Sequence, residues 1–160
     1  MTAIGSAVGS NDVTMNTNGT SEQELLQLDV AGWQALLDRH ESLFAGLLTG
    51  SRIGLLPEED FESPAAMMLV WEATDQGMVA SYRPFSGFDT VEVDLLFIPD
   101  NKTLRALHEP SNTSPFTDMK RKVRRRETLL YVVKPRASLL ELGYEEFLDS
   151  LGLTFVGACR

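Results

Sequence analysis

Apolar side chains at a spacing of three and four residues follow Asp29 and predict an amphipathic helix. Asp29 is a residue type that caps helix N-termini, and Gly50 is one that ends helices in a left-handed conformation. We therefore expect a helix between these two residues. An earlier capping pattern, Ser-Glu-Gln-Glu from Ser21, marks the expected start of the ordered domain. The helix positions that follow this spacing are Trp33, Leu36, Leu37, His40, Leu43, Phe44, Leu47 and Leu48.

The middle of the chain alternates apolar and polar residues at the two-residue period of a β-strand. Turn residues separate four such runs, at 67–73, 78–83, 91–97 and 103–108. The preceding segment, 51–64, is interpreted as a connection that contains a few apolar residues. The first run could also begin a helix, because a Ser-Pro pair and helix-forming residues stand before it. We favour the strand. Successive strands with short turns between them are typical of an antiparallel meander.

The last third of the chain predicts a helix, a strand and a second helix. A Ser-Pro pair at 114–115 is a helix start, and the continuous apolar run at 129–133 predicts a buried strand. We expect most of the chain to pack around that strand. A final helix is expected from residue 137 or 138 to 150, with one last strand at 153–156. The first of these helices has three apolar residues on one face, which are Phe116, Met119 and Val123.

Together these elements predict an α+β fold. It consists of an antiparallel sheet of about five strands in a meander, with the N-terminal, basic and C-terminal helices packed on it. Residues 1–20 show no helix or strand period and are expected to form a flexible tail, with residues 21–160 as a single domain. We expect a cytoplasmic protein without membrane insertion, since the chain has one cysteine, no secretory signal pattern and no long apolar run.

The net charge of −9 is divided unevenly along the chain. Residues 1–119 contain five Lys or Arg against eighteen Asp or Glu, which gives −13, whereas residues 120–160 contain nine against five, which gives +4. An acidic protein repels nucleic acid at long range, while a local basic patch still attracts an anionic partner. Such a division is therefore informative about the partner.

The positive charge is concentrated between residues 120 and 126. We expect this run to contact a partner protein with an acidic surface. Two structural alternatives are a solvated helix face and internal pairing with the acidic run at 58–62. Nucleic-acid binding is a further alternative, although the nearest aromatic residues for base stacking are Phe116 and Tyr131. The candidate binding residues are Lys120, Arg121, Lys122, Arg124, Arg125 and Arg126.

Other residues of types that can bind metals or serve catalysis form no specific motif. His40 lies on the apolar face of the first predicted helix and His108 ends a predicted strand, and neither belongs to a zinc-binding motif. Glu92 and Asp94 would share one strand face, where a carboxylate pair could serve acid–base catalysis, but a solvent-facing pair is favoured. We assign no catalytic residue, no metal and no cofactor. A non-catalytic protein is favoured, and an enzyme is left as an open alternative.

The expected function is therefore that of a non-catalytic protein-binding module, such as an adaptor, an assembly factor or a chaperone-like protein. The basic run would steer an acidic partner, and an exposed sheet edge or apolar groove would supply affinity. Nucleic-acid binding through the basic helix is one alternative. A small-ligand or cofactor carrier is another, with a pocket between the meander and the first helix.

Overall fold

The computed structural model describes residues 29–63 and 66–153. Within these ranges the chain forms one five-stranded sheet and five α-helices, with 3₁₀ turns at Glu41–Phe44 and Glu58–Asp60. The predicted tail at 1–20, the capping pattern at Ser21, and residues 154–156 of the predicted last strand lie outside the described residues. The strands are β1 (Arg52–Leu55), β2 (Met67–Thr74), β3 (Gly77–Pro84), β4 (Leu95–Ile98) and β5 (Leu129–Val132). The helices are α1 (Val30–Arg39), α2 (Asn101–His108), α3 (Pro115–Arg124), α4 (Arg136–Glu141) and α5 (Glu145–Ser150).

The sheet is mixed, so the predicted antiparallel meander is wrong. Its strand order is β3-β2-β1-β4-β5, and β1 runs parallel to β4 while the other pairs are antiparallel. Only β1, β2 and β3 follow one another as neighbours. The chain then crosses to the other side of β1 and adds β4 and β5 there. The α+β class is therefore correct and the topology is not.

Two misread segments explain the wrong topology. The supposed connection at 51–64 contains the central strand β1, whose apolar residues are buried on both faces and so show no alternation. The supposed strand at 103–108 is helix α2, because the carboxylate of Asp100 accepts a hydrogen bond from the backbone N–H of Thr103 at 2.8 Å and caps the helix. Leu104 and Leu107 then point into the core.

Both long predicted helices are interrupted. The first is capped by Asp29 as predicted, with Gly32 N–H donating to the carboxylate at 3.0 Å, but it ends at Arg39 and a 3₁₀ turn follows. The last is split into α4 and α5 at Gly143, which has a φ of +84°. A Cβ at that position would collide with the backbone carbonyl oxygen of Gly46, so glycine is required there.

The sheet carries an apolar cluster on each face. All five helices pack on one face, where Trp33, Trp71 and Phe97 are among the buried residues. Loops cover the opposite face, with Phe85 and Leu96 in its cluster. The cluster on the helix side joins residues as far apart in sequence as Trp33 and Leu151.

A buried polar network joins β1 to the segment before β4. The carboxylate of Asp94 accepts hydrogen bonds from the Tyr144 hydroxyl and from the Arg52 backbone N–H, both at 2.7 Å. Burial, followed by the contact with Asp94, raises the pKa of Tyr144. Asp94 is buried whereas Glu92 is exposed and precedes the strand, so the expected carboxylate pair on one strand face does not exist.

Strand β5 is at an edge of the sheet and is not the buried centre that its apolar sequence predicts. Leu129 is 45% exposed and Val132 is 57% exposed. Its neighbour on one side is β4, and β5 ends the strand order on the other side. The residues around which the core is built belong to β1 and β4.

Candidate functional site

Helix α3 presents the predicted basic residues because its apolar side is fixed in the core. Pro115 occupies the first turn, and Phe116 and Met119 are buried, as the spacing predicted. Asp118 lies in the first turn, while Arg121, Lys122 and Arg124 lie in the last turn. This charge order agrees with the helix dipole. The cations therefore occupy the remaining sides of the helix.

We define the basic face as the six predicted cations. Part of it lines an open groove of about 480 Å³, together with the hydroxyl-bearing Thr117. Gly152, which follows α5, lies against the aliphatic stems of Lys120 and Arg124. The basic face consists of Lys120, Arg121, Lys122, Arg124, Arg125 and Arg126.

Two of the six cations form ion pairs, both with near neighbours in sequence. Arg121 Nη1 lies 3.2 Å from Asp118 Oδ1, and Lys122 Nζ lies 3.1 Å from Glu127 Oε1. The other four cations make no salt bridge within the described part of the chain, and none of the six pairs with the acidic run at 58–62. Among the described residues, the basic face is therefore not paired with that run.

Arg126 adopts a left-handed backbone conformation with a φ of +62°. Within the described residues it is the one non-glycine residue with a positive φ. It follows the C-cap of α3, and its N–H donates to the Val123 carbonyl at 3.0 Å, a position that usually carries glycine. An arginine there costs about 1 kcal/mol relative to glycine. A cation thus occupies a position at which glycine would be more stable.

The basic face is physically continuous with strand β5. The backbone N–H groups of Glu127 and Thr128 donate to the Lys122 carbonyl at 2.8 and 3.2 Å. These bonds hold the end of α3 against the start of the strand. The exposed apolar edge at Leu129 therefore begins directly beside the cations.

Neither predicted stacking residue gives the basic face an aromatic platform. Phe116 is buried and its ring packs edge-on against Phe44 and Trp71, with ring centroids 5.7 and 6.0 Å away. Tyr131 packs against Phe88 on the sheet face opposite the helices, with ring centroids 4.7 Å apart. Stacking of unpaired bases requires exposed aromatics interleaved with cations. This geometry does not favour single-strand binding.

Both histidines have structural partners. His40 packs edge-on against Phe116, and burial, followed by the charge of Arg39, lowers its pKa. His108 ends α2, and its Nε2 lies 2.7 Å from Asp29 Oδ2. Among residues 29–63 and 66–153, no three His, Cys, Asp or Glu side chains are grouped as a metal site would require. Both histidines thus contribute to packing between elements.

Two spaces near the first helix bear on the ligand-carrier alternative. A crevice of about 590 Å³ lies between α1, the 3₁₀ turn that follows it, and strands β2 and β3, and it includes Gln34, Phe44 and Met78. A narrow apolar space of about 10 Å³ lies between Trp33 and Tyr82. The second is about the size that one water molecule needs. Of the two, only the open crevice has room for a ligand.

No helix in the described ranges has the length and apolar character that crossing a membrane requires.

Comparison with known proteins leaves the chain without an assigned family. No protein-family model matches it, and no curated protein matches it. Among solved structures, it is similar to the solution structure of a conserved hypothetical protein, "possibly sterol carrier protein", from Thermus thermophilus. The two are 16% identical, the similarity covers 78% of this chain and 87% of that chain, and the TM-score is 0.37.

Proposed function

We propose that this protein is a non-catalytic protein-binding module that captures an acidic partner through the basic face of α3. The observation that carries the proposal is the group of four cations that form no salt bridge within the described residues. They lie in the second half of α3 and directly after it, in a chain with a net charge of −9. Complementary charge raises the rate of association and selects the partner.

A protein partner fits this surface better than a nucleic acid does. The overall negative charge repels a polyanion at long range, and the buried Phe116 cannot stack on bases. A protein partner, by contrast, needs acidic residues only over the limited area that contacts the basic face. The exposed apolar residues of β5 beside the cations add contact area of the kind that protein interfaces use.

The test is capture of partners from a nuclease-treated extract of the source cells. The bait is the wild-type protein or a variant in which Arg121, Lys122, Arg124 and Arg125 are changed to Glu. We expect the wild type to retain a defined acidic protein and the variant to lose it. Equal retention by both baits would refute the proposal. Recovery of RNA or DNA alone, and only without nuclease, would establish the nucleic-acid alternative.

The small-ligand alternative has one supporting observation, which is the crevice of about 590 Å³ beside α1. Its volume is within the range of ligand sites, although it is open to solvent. Native mass spectrometry of the purified protein separates the two functions. A bound small molecule of constant mass would support a carrier, and the apoprotein mass alone would favour the protein-binding module.

A further inference from the structure

The two edges of the sheet differ in how they are protected. At β3 the side-chain amide of Gln34 acts as a neighbouring strand would. Its Nε2 donates to the Met78 carbonyl at 2.8 Å, and its Oε1 accepts from the Ala80 N–H at 2.9 Å. The strand also ends at Pro84, which has no N–H to offer. The β3 edge is therefore partly occupied.

The register of β4 and β5 shows which backbone groups of β5 point away from the sheet. The Leu56 N–H donates to the Phe97 carbonyl at 2.9 Å, so Phe97 directs its backbone groups toward β1. Phe97 lies opposite Leu130 in the antiparallel pair. Opposite residues either exchange both hydrogen bonds or neither. Leu130 therefore directs its N–H and carbonyl to the outer edge.

The same alternation places the backbone groups of Val132 at the outer edge. The next residue, Val133, donates its N–H inward to the Asp94 carbonyl at 2.9 Å. Successive residues of a strand direct their backbone groups to opposite sides. In the described ranges, neither Leu130 nor Val132 has a backbone partner on the outer side.

Exposed apolar side chains accompany this free edge. Tyr131 is 38% exposed and Phe88, which it contacts, is 39% exposed. Leu129 lies on the same strand face as Tyr131, and Val132 lies on the opposite face. Many edge strands carry charges or proline that prevent pairing with another chain. Strand β5 has neither within its four residues.

Cations stand at both ends of the strand instead. Residues 124–126 precede it, and Lys134 follows it by two positions. A second copy of this chain is a poor occupant, since antiparallel pairing of two β5 strands would bring these cations together. A segment with an apolar centre and carboxylates on either side matches both the edge and its charges.

We propose that β5 binds an extended segment of a partner protein by strand addition, and that this segment has an apolar centre with acidic residues on either side. The inference rests on the proposed function and adds the partner's conformation. Hydrogen bonds to Leu130 and Val132 would supply affinity, and pockets for alternate side chains would supply specificity. The basic face provides the charge attraction.

The test uses a labelled eight-residue peptide with four central valines and two glutamates at each end, with fluorescence anisotropy as the readout. The variant Val132→Pro removes one outward N–H and leaves the inward bonds of the strand in place. Val132→Ala is its matched control, because it shortens the side chain and keeps the N–H. We expect Val132→Pro to bind about tenfold more weakly than Val132→Ala. The same peptide with N-methylated valines should lose affinity for the wild type.

Amide hydrogen exchange of the wild type provides a test that does not depend on the folding of a variant. The amides of Leu130 and Val132 should exchange quickly in the free protein and become protected by the peptide. If they stay unprotected while charge reversal of the basic face still abolishes binding, strand addition is refuted and the proposed function stands. If charge reversal has no effect, the proposed function fails as well. A dimer that Val132→Pro dissociates would show a second copy as the occupant and overturn the proposal.

Discussion

At the scale of single residues, the structure separates residues required for folding from residues retained at a cost to stability. Gly143 belongs to the first kind, because its backbone conformation and the nearby Gly46 carbonyl exclude a side chain. Arg126 belongs to the second kind, because glycine would fit its backbone better. Residues of the second kind often serve binding.

Replacing Arg126 with glycine should stabilise the protein and weaken binding. Relief of the left-handed conformation should add about 1 kcal/mol to the free energy of unfolding, measured by urea denaturation. Arg126→Ala is the matched control, since it also removes the charge but retains the strained conformation. Both variants should bind the acidic partner more weakly. A glycine variant no more stable than the alanine variant would show that no strain is present.

Asp29 links the start of α1 to the end of α2 through its carboxylate. Hydrogen bonding from Gly32, then the contact with His108, lowers its pKa below the ordinary value of 3.8, against the opposing effect of burial. Asp29→Ala should lower the free energy of unfolding by about 1 kcal/mol at neutral pH. Asp29→Asn should lose less, because asparagine also caps helices.

The pH dependence of this effect follows from the lowered pKa. A carboxylate with a depressed pKa in the folded state stabilises the protein at pH values above its unfolded pKa. That contribution is lost as the pH falls through the folded value. Thermal unfolding should therefore show the difference between wild type and Asp29→Ala above about pH 4 and its decrease below. A difference that grows on acidification would contradict this assignment.

At the scale of secondary-structure elements, the contrast between the two sheet edges has a testable consequence. Gln34→Ala removes the amide that occupies the β3 edge at Met78 and Ala80. We expect a loss of about 1 kcal/mol in stability and faster hydrogen exchange at the Ala80 amide. Asp38→Ala is the control, because it removes the carboxylate that accepts from Gln34 Nε2 at 3.0 Å and keeps the Gln34 amide. Unchanged exchange in Gln34→Ala would show that the amide does not protect this edge.

Local signals in the sequence predicted the starts of α1 and α3 and the β2–β3 hairpin. The cap at Asp29 and the Ser-Pro start of α3 depend on neighbouring residues alone, and both were correct. The pairing of β1 with β4 joins segments about 40 residues apart, and the segment of β1 does not alternate in polarity. Nothing local distinguishes such a strand from a connection.

The candidate site was predictable in charge but not in shape. The basic run is visible in the sequence, and its place on α3 follows from the apolar spacing of Phe116 and Met119. The apolar run of β5 predicted a buried strand, although it lies at the edge. Its four residues carry no charge and no proline, so the strand itself gives no local signal of an edge position. The strained φ of Arg126 leaves no trace in the sequence.

At the scale of the whole molecule, negative and positive charge are concentrated in different parts of the chain. The residues up to 119 carry a charge of −13 and the rest carry +4, with the basic face at the junction. The field of the acidic part would repel an anionic partner from most of the surface. Productive encounters should therefore occur at α3 and the neighbouring β5.

The most direct test of this account compares two charge reversals at equivalent helix positions. Arg124 and Arg39 are both exposed and both lie in the last turn of a helix, α3 and α1. Each change to Glu alters the net charge equally and loses a similar interaction with the helix dipole. The measurement is calorimetric titration of the peptide with four central valines and flanking glutamates into each variant at low salt. We predict roughly fivefold weaker binding for Arg124→Glu and unchanged binding for Arg39→Glu. Equal weakening in both variants would show an effect of net charge alone and would contradict a binding site on the basic face.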